Sequence, residues 1–454
     1  MHRLISFVAE ARLAVFILAS CTICCQVERA LAADPALKTY VNKPDANYRW
    51  EERRRGELGS SKFVELTLTS QKWRNVLWRH QLFIIRPSNI DKNSKQAMLI
   101  IGGGAWNESR ADKENLEGIP SQAQLFAIAA EQLKTTVAVL LQVPHQPIFE
   151  GKYEDAAIAH TFSEFLKGGE SDWPLLLPMT KSATKAMDAV QEFSQQEWKT
   201  EIQEFTVTGA SKRGWTTWLT GAVDPRVAGI APMVIDMLKM EAHLKHQKES
   251  WGKLSRMIED YTEKGLDKHL STPRGKQLQQ IVDPFHYRDQ LKQPKLIIIG
   301  TNDDYWPLDS LNIYWKDLLG PKYILYVPNN RHGLKDFPRL IGSMKALHDS
   351  LGKNGKPLPK LTWKFQKTDA DTTMSIQSDI APKKVRAWIA TSKTRDFRNS
   401  KWISVDAQPN GNGSFVYQLR APQEGFAAVF GEAVFEQDPI PFYLSTTVHI
   451  RTTD

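Results

Sequence analysis

Between residues 82 and 327 the chain alternates short apolar runs with segments of helical period, and this alternation restricts the fold more than any other feature of the sequence. Residues 82–86, 97–101, 136–143, 205–208, 227–235, 295–299 and 323–327 read as strands. Residues 122–133, 181–193, a segment starting at Lys212, and 310–319 read as helices; in the second of these, Ala183, Ala186, Met187 and Val190 share one face. Buried strands separated by helices predict a mostly parallel sheet with helices on both faces. In such a sheet ligands meet the loops beyond the carboxyl ends of the strands, so reactive residues are expected there.

Two stretches depart from this rhythm. Residues 237–291 are polar, rich in Lys, Glu and Gln, and helical in period, yet lie between two predicted strands. They predict either a set of surface helices or a helical cap over the site. The second departure follows residues 352–359, a Gly- and Pro-containing linker. Beyond it, short alternating runs at 361–365, 373–376, 385–390, 415–419, 427–435 and 442–450 are separated by turns such as Asn410-Gly411-Asn412-Gly413. That spacing predicts a separate β-sandwich. The expected division is therefore 34–355 for the α/β unit and 356–454 for the sandwich.

The N-terminus reads as a targeting segment. Arg3 and Arg12 flank an apolar stretch over 13–25, and Ala30-Leu31-Ala32 follows as a small-x-small cleavage pattern. This predicts a signal peptide over 1–33 and an exported protein, periplasmic or secreted. Leu18-Ala19-Ser20-Cys21 also fits a lipobox, which would instead anchor the chain to a membrane through Cys21. All three cysteines (Cys21, Cys24 and Cys25) lie in this stretch. A cleaved chain would carry no disulfide, thiol nucleophile or Cys-based metal site. The net charge of +8 is modest for 454 residues. The one basic run, Arg53-Arg54-Arg55 after Glu51-Glu52, reads as a solvated face, and no nucleic-acid partner is expected.

The chemistry concentrates at Gly209-Ala210-Ser211-Lys212-Arg213-Gly214, where a predicted strand turns into a predicted helix. A serine at such a turn needs small neighbours because the backbone is tight, and Gly209 and Ala210 meet that need. The usual Gly two residues after the serine is replaced by Arg213, with Gly214 one place later. A serine is a weak nucleophile without a base within hydrogen-bond reach, and the base in turn needs a carboxylate to orient it. Both follow in the required chain order. Asp303 and Asp304 come after the strand 295–299, and His332 comes after the strand 323–327. Asp303, three residues beyond Gly300, is the preferred acid, and His332 is the base. The oxyanion donors are expected to be the backbone N–H of Lys212 and one from Gly103, Gly104 or Ala105 after residues 97–101. The 14 Trp residues suggest an aromatic cleft, with Trp106, Gln142, His145 and Trp215 as candidate pocket residues. His160, His286 and the pair His243/His246 lack the partners of a metal site, so neither metal nor cofactor is expected.

The chain resembles the PhoPQ-activated pathogenicity-related protein family, a bacterial group within the α/β-hydrolases. The resemblance rests on runs such as Tyr40-Val41-Asn42-Lys43-Pro44-Asp45, Trp173-Pro174-Leu175-Leu176, Gly209-Ala210-Ser211-Lys212-Arg213-Gly214-Trp215-Thr216, Pro232-Met233-Val234-Ile235-Asp236 and Tyr326-Val327-Pro328-Asn329. It implies an α/β-hydrolase three-layer sandwich with a helical cap insertion, followed by an immunoglobulin-like β-sandwich. It makes Arg213 part of the family's own elbow. It also implies a serine hydrolase acting on an ester or amide, peptides included, with a link to envelope stress and antimicrobial-peptide resistance. The elbow is similar to that of glucuronoyl esterases too, which keeps a carbohydrate-ester substrate open. A non-catalytic, virulence-associated binding protein on the same scaffold is the other alternative.

Overall fold

The structure, a computed structural model, describes residues 35–91, 94–111, 118, 123–352 and 355–453. The expected signal peptide and all three cysteines lie outside the described residues. After a short helix α1 (Ala36–Asn42), three long strands form an antiparallel meander: β1 (Arg49–Leu58), β2 (Ser61–Trp73) and β3 (Val76–Arg86). Only the end of β3 was legible in the sequence, because β1 is largely charged. Its arginines correct the expectation of a solvated face. Arg53 and Arg54 turn inward across a bulge between Glu52 and Arg54. Both pair with Glu65, which is fully buried, at 3.3 and 2.6 Å, and Gln81 Nε2 donates to the same carboxylate at 2.7 Å. Arg55 alone stays exposed, against Glu52 and Glu197.

The chain then alternates as expected. β4 (Gln96–Ile101), α2 (Ala123–Leu133) and β5 (Thr136–Leu140) are followed by α3 (Glu154–Leu166) and α4 (Leu176–Trp198). β6 (Glu204–Ala210), α5 (Lys212–Val223) and β7 (Val227–Met233) come next. The helical interval then holds α6 (Met240–Trp251), α7 (Glu259–Thr262), α8 (Leu266–His269) and α9 (Pro273–Val282). β8 (Lys295–Gly300), β9 (Lys322–Val327) and α10 (Phe337–Leu351) complete the unit. The nine-stranded sheet has the order β1-β2-β3-β5-β4-β6-β7-β8-β9 and is parallel from β5 onward. Chain progression reverses direction between β4 and β6, which makes the gap between their carboxyl ends the topological switch point where ligands bind in such sheets.

The helix expected over 310–319 is absent; two 3-10 turns, Ser310–Ile313 and Trp315–Asp317, take its place. Lys322 Nζ donates to Trp315 O at 2.5 Å and to Leu318 O at 2.8 Å at the end of this stretch.

The C-terminal segment forms two antiparallel sheets. One has β10 (Leu361–Lys367), β11 (Asp371–Ser378), β15 (Ser414–Arg420) and β14 (Gln408–Asn410). The other has β13 (Ile403–Asp406), β12 (Lys384–Ser392), β16 (Phe426–Phe435) and β17 (Phe442–Ser445), with β18 (His449–Thr452) also on β16. The run expected as one strand over 442–450 is thus two. Thr446 interrupts it, its hydroxyl accepting from Gly431 N at 2.9 Å. Met374, Ile376, Val385 and Val429 from the two sheets share one apolar cluster with Ile298, Leu325, Leu340 and Leu347 of the α/β unit. The sandwich is fused to the larger unit through a common core.

Replacing Glu65 by Ala leaves two inward arginines without their carboxylate. Breaking a buried pair costs about 3 kcal/mol or more, so Glu65→Ala is expected to lower stability by about that amount in a urea titration.

Candidate active site

Ser211 sits where β6 ends and α5 begins, with φ 59° and ψ −127°. A non-glycine residue in this region costs on the order of 1–3 kcal/mol and persists only where its surroundings over-determine it. Those surroundings are visible. Ser211 N donates to Met233 O of β7 at 2.9 Å, and Trp215 N returns to Ser211 O at 3.0 Å. A Cβ on Gly209 would lie 2.8 Å from Arg213 O, and one on Gly214 would lie 2.8 Å from both Met233 O and Ile235 Cγ2. These are backbone approaches, so glycine is required at both places. The second glycine of the elbow is therefore Gly214, which explains why a large residue can occupy the place before it.

Arg213 uses that place. Its Nε donates to Val143 O at 2.5 Å, and its two terminal nitrogens grip the Glu154 carboxylate at 2.6 and 2.7 Å. The guanidinium lies directly against Gly103, where a Cβ would come within 2.5 Å of it. Lys212 is neither solvated nor free to meet a substrate charge. It is buried, with Nζ 2.9 Å from Glu154 and 3.4 Å from Asp155. Burial opposes ionisation of Glu154, but the Arg213 hydrogen bonds and the charges of Arg213 and Lys212 outweigh it and hold its carboxyl at about 2.

Asp303 and His332 come together. Asp303 is buried, and His332 Nδ1 lies 2.9 Å from Asp303 Oδ2 and 3.1 Å from Oδ1. Asp303 Oδ1 also accepts from Tyr305 N at 2.8 Å. Asp304 points away and pairs with Arg331 on the surface. The Tyr305 ring covers His332, with centroids 4.1 Å apart. His332 Nε2 is buried and has no hydrogen-bond partner among the described residues, Ser211 Oγ included. Such contacts are commonly long without substrate and tighten when it binds.

The glycine loop after β4 is next to the elbow because Ile101 and Gly209 are register partners. Gly103 O accepts from Gln142 N at 2.9 Å and Gly104 O from Gln146 Nε2 at 3.2 Å. The N–H of Lys212 opens α5, where the first amides lack intrahelical acceptors.

A cavity of about 90 Å³ lies beside Ser211. Ser211, Lys212, Trp215, Tyr305 and Trp306 form one wall, and Met240, Ile258, Leu266 and Leu278 face them. The helical interval thus covers the site. His243 also lines it, and burial, with His246 nearby, pushes its imidazole down to about 3, so that ring is uncharged at neutral pH; Asp267 contributes a carboxylate from the same interval. Asp155 is the polar end, accepting from Tyr261 Oη at 3.0 Å and lying 3.4 Å from Tyr305 Oη. Of the expected pocket residues, Trp215 lines this cavity. Trp106, Gln142 and His145 do not. Gln142 bonds to Gln81, and His145 bonds to Arg79 with its ring 5.9 Å from Trp106. The roles of Glu154, Asp155 and Tyr305 were not legible in the sequence. The ion pairs that reveal the first two span more than fifty residues; Tyr305, two after Asp303, carried a weak local signal. No cluster of His, Cys, Asp and Glu able to hold a metal occurs among the described residues.

The sheet order and the serine at a left-handed strand-to-helix turn define an α/β-hydrolase fold. The profile of the PhoPQ-activated pathogenicity-related proteins matches residues 37–398, and the chain belongs to that family. It is 32% identical over 436 residues to autocrine proliferation repressor protein A of Dictyostelium discoideum, covering 88% of this chain and 85% of that protein. Among solved structures it is similar to an acetyl xylan esterase from Paenibacillus sp. R4, at 13% identity and a TM-score of 0.46 over 66% of this chain and 88% of that one. It is similar also to acetyl xylan esterase 1 from Thermoanaerobacterium sp. JW/SL YS485, at 14% identity and a TM-score of 0.43 over 67% and 90%.

Because Glu154 titrates at about 2 in the folded chain against an ordinary 4.5, its ionised form favours folding above pH 4.5. That contribution is lost as pH falls from 4.5 toward 2. Melting temperatures of wild type and Glu154→Gln should differ most at neutral pH and converge across this window.

Proposed function

We propose that this protein is a serine hydrolase that cleaves an ester or amide through acyl transfer to Ser211. Ser211 Oγ attacks the carbonyl carbon while His332 Nε2 takes its proton. Asp303 holds the Nδ1–H tautomer and stabilises the imidazolium. The tetrahedral oxyanion is received by the backbone N–H of Lys212 and by one from Gly103 or Gly104. His332 then returns the proton to the leaving oxygen or nitrogen. A water deprotonated by His332 attacks the acyl-enzyme, releasing the acid and restoring Ser211. The observation that carries this reading is the strained Ser211 turn at the switch point, with a buried Asp303–His332 pair on the loops of the same sheet edge.

The site also bears on substrate. The cavity is small and mostly apolar, with Asp155, Lys212 and Asp267 as its charged lining residues, which suits a compact acyl or alkyl group. Lys212 and Arg213 are both committed to carboxylates, so neither is available to hold a glucuronate, and the carbohydrate-ester reading loses its anion anchor. Export remains part of the proposal on the strength of residues 1–33, whose cleavage would be read from the N-terminal sequence of protein recovered outside the cytoplasm. A second reading draws on the Dictyostelium relative, whose name is that of a proliferation repressor and not an enzyme. An exported binding protein on a hydrolase scaffold would owe nothing to Ser211.

The two readings separate in one experiment. Wild-type protein should label with a fluorophosphonate probe and hydrolyse short-chain p-nitrophenyl esters faster than glucuronate esters. Ser211→Ala should lose the label, and Asp303→Asn should lower kcat by on the order of 10⁴. Labelling that persists in Ser211→Ala, or that never occurs in the wild type, would sink the nucleophile assignment.

A further inference from the structure

The segment 397–402 of the C-terminal sandwich makes an unusual set of contacts. It touches the two loops that carry Asp303 and His332, each through the residues beside the reactive one. Asn302, buried and adjacent to Asp303, donates from Nδ2 to Ser400 O at 2.7 Å, with Arg398 O at 3.2 Å and Phe397 O at 3.3 Å. Asn329, three residues before His332, makes a reciprocal pair with Trp402: its Oδ1 accepts from Trp402 N at 2.8 Å, and its Nδ2 donates to Trp402 O at 3.0 Å. Arg331, adjacent to His332, reaches Asn399 Oδ1 at 2.6 Å. The segment is itself held firm. Phe397 and Trp402 are both buried, and Trp402 packs on Phe430 of β16 with centroids 5.2 Å apart.

The two loops are also stitched to each other. Asn302 N donates to Asn330 O at 2.9 Å. Thr301 Oγ1 accepts from Asn329 N at 2.9 Å and donates to Asn302 Oδ1 at 2.8 Å. The side-chain amide of Asn302 is therefore saturated on one side by the base loop's partner Thr301 and on the other by the sandwich. A carboxylate and an imidazole held by two loops that are bonded to each other keep their 2.9 Å contact more firmly when both loops are also fixed to a common body. The sandwich supplies that body.

We propose that the C-terminal sandwich is a positioning element for the acid and base, acting through Asn302 and Asn329 as positioning residues. The proposal rests on the serine-hydrolase reading for its effect on rate, although not for its effect on the Asp303–His332 pair. It assigns the sandwich a part in catalysis from outside the cavity, without contact to substrate. It also explains why polar side chains, beside the apolar contact of Tyr326 with Phe430, join the two units at this point. The partners are backbone carbonyls and an amide of a loop with no ladder of its own, and they need donors and acceptors from across the boundary.

The test uses the full chain and two variants. Asn329→Gly removes the pair with Trp402 while tolerating the backbone φ of +58° at that position. Asn302→Ala removes the three-carbonyl contact. Thr447→Val serves as control, since it deletes the Trp363 Nε1 bond to Thr447 Oγ1 (2.9 Å) in the same sandwich without touching either loop. Ester hydrolysis, fluorophosphonate labelling rate, melting temperature and the NMR titration of His332 are measured on each. Both Asn variants should stay folded and lose roughly 10- to 100-fold in kcat and in labelling rate with little change in KM. Their His332 midpoint should move in the direction that Asp303→Asn moves it. Thr447→Val should lose stability but keep kcat and the midpoint. Folded Asn variants with wild-type kcat and an unmoved midpoint would overturn the proposal. Should the wild type neither label nor hydrolyse esters, the hydrolase reading fails by itself. The midpoint then still decides: a shift in the Asn variants but not in Ser211→Ala upholds the positioning role, and no shift overturns it.

Discussion

The bidentate pair between Arg213 and Glu154 is the contact on which the site is built. It crosses from the nucleophile helix to the first turn of α3 and closes over Gly103, so it ties the elbow, the glycine loop and the β5 loop together. A strained turn at Ser211 persists only under such constraint. Each component has a steric or electrostatic cause. Gly209 and Gly214 admit close backbone approach, and Gly103 leaves room for the guanidinium. Glu154 is held ionised against burial by the same arginine. The pair is also what separates this elbow from the more usual one, where a second small residue follows the serine.

Around this anchor the site is assembled from distant pieces. Asp155 receives Tyr261 from the helical interval, approaches Tyr305 from the acid loop and pairs with Lys212 from the elbow. One carboxylate thus joins the cover, the loop of Asp303 and the helix after Ser211 at one side of a mostly apolar cavity. Opposite, the sandwich holds the loops of Asp303 and His332 through backbone carbonyls. Ser211, Asp303 and His332 sit between two bodies, each fastened by polar contacts.

Much of this was legible in the chain. The β/α alternation, the order Ser211, Asp303, His332, the turn-rich C-terminal region and the helical interval all follow local rules: apolar periodicity, turn chemistry and residue order. What was missed has a common physical origin. β1 looked solvated because its arginines find a buried partner, Glu65, only after folding pairs β1 with β2. The expected helix at 310–319 is replaced by two 3-10 turns, with Lys322 reaching back to the carbonyls of Trp315 and Leu318. Trp106 and His145, read as pocket residues because aromatic and imidazole side chains near a strand end suit a cleft, pack against each other and Arg79.

By itself, the sequence determined which residues could be nucleophile, base and acid, because those roles depend on side-chain chemistry and on position along a strand-to-loop pattern. Tertiary structure turns Asp303, the acid the sequence favoured, toward His332 and Asp304 toward Arg331 at the surface. It alone neutralised Lys212 and Arg213, placed the helical interval over Ser211 and fused the sandwich to the site. These outcomes depend on pairings across roughly thirty to a hundred residues, and no local pattern encodes which distant charge or carbonyl a side chain will meet.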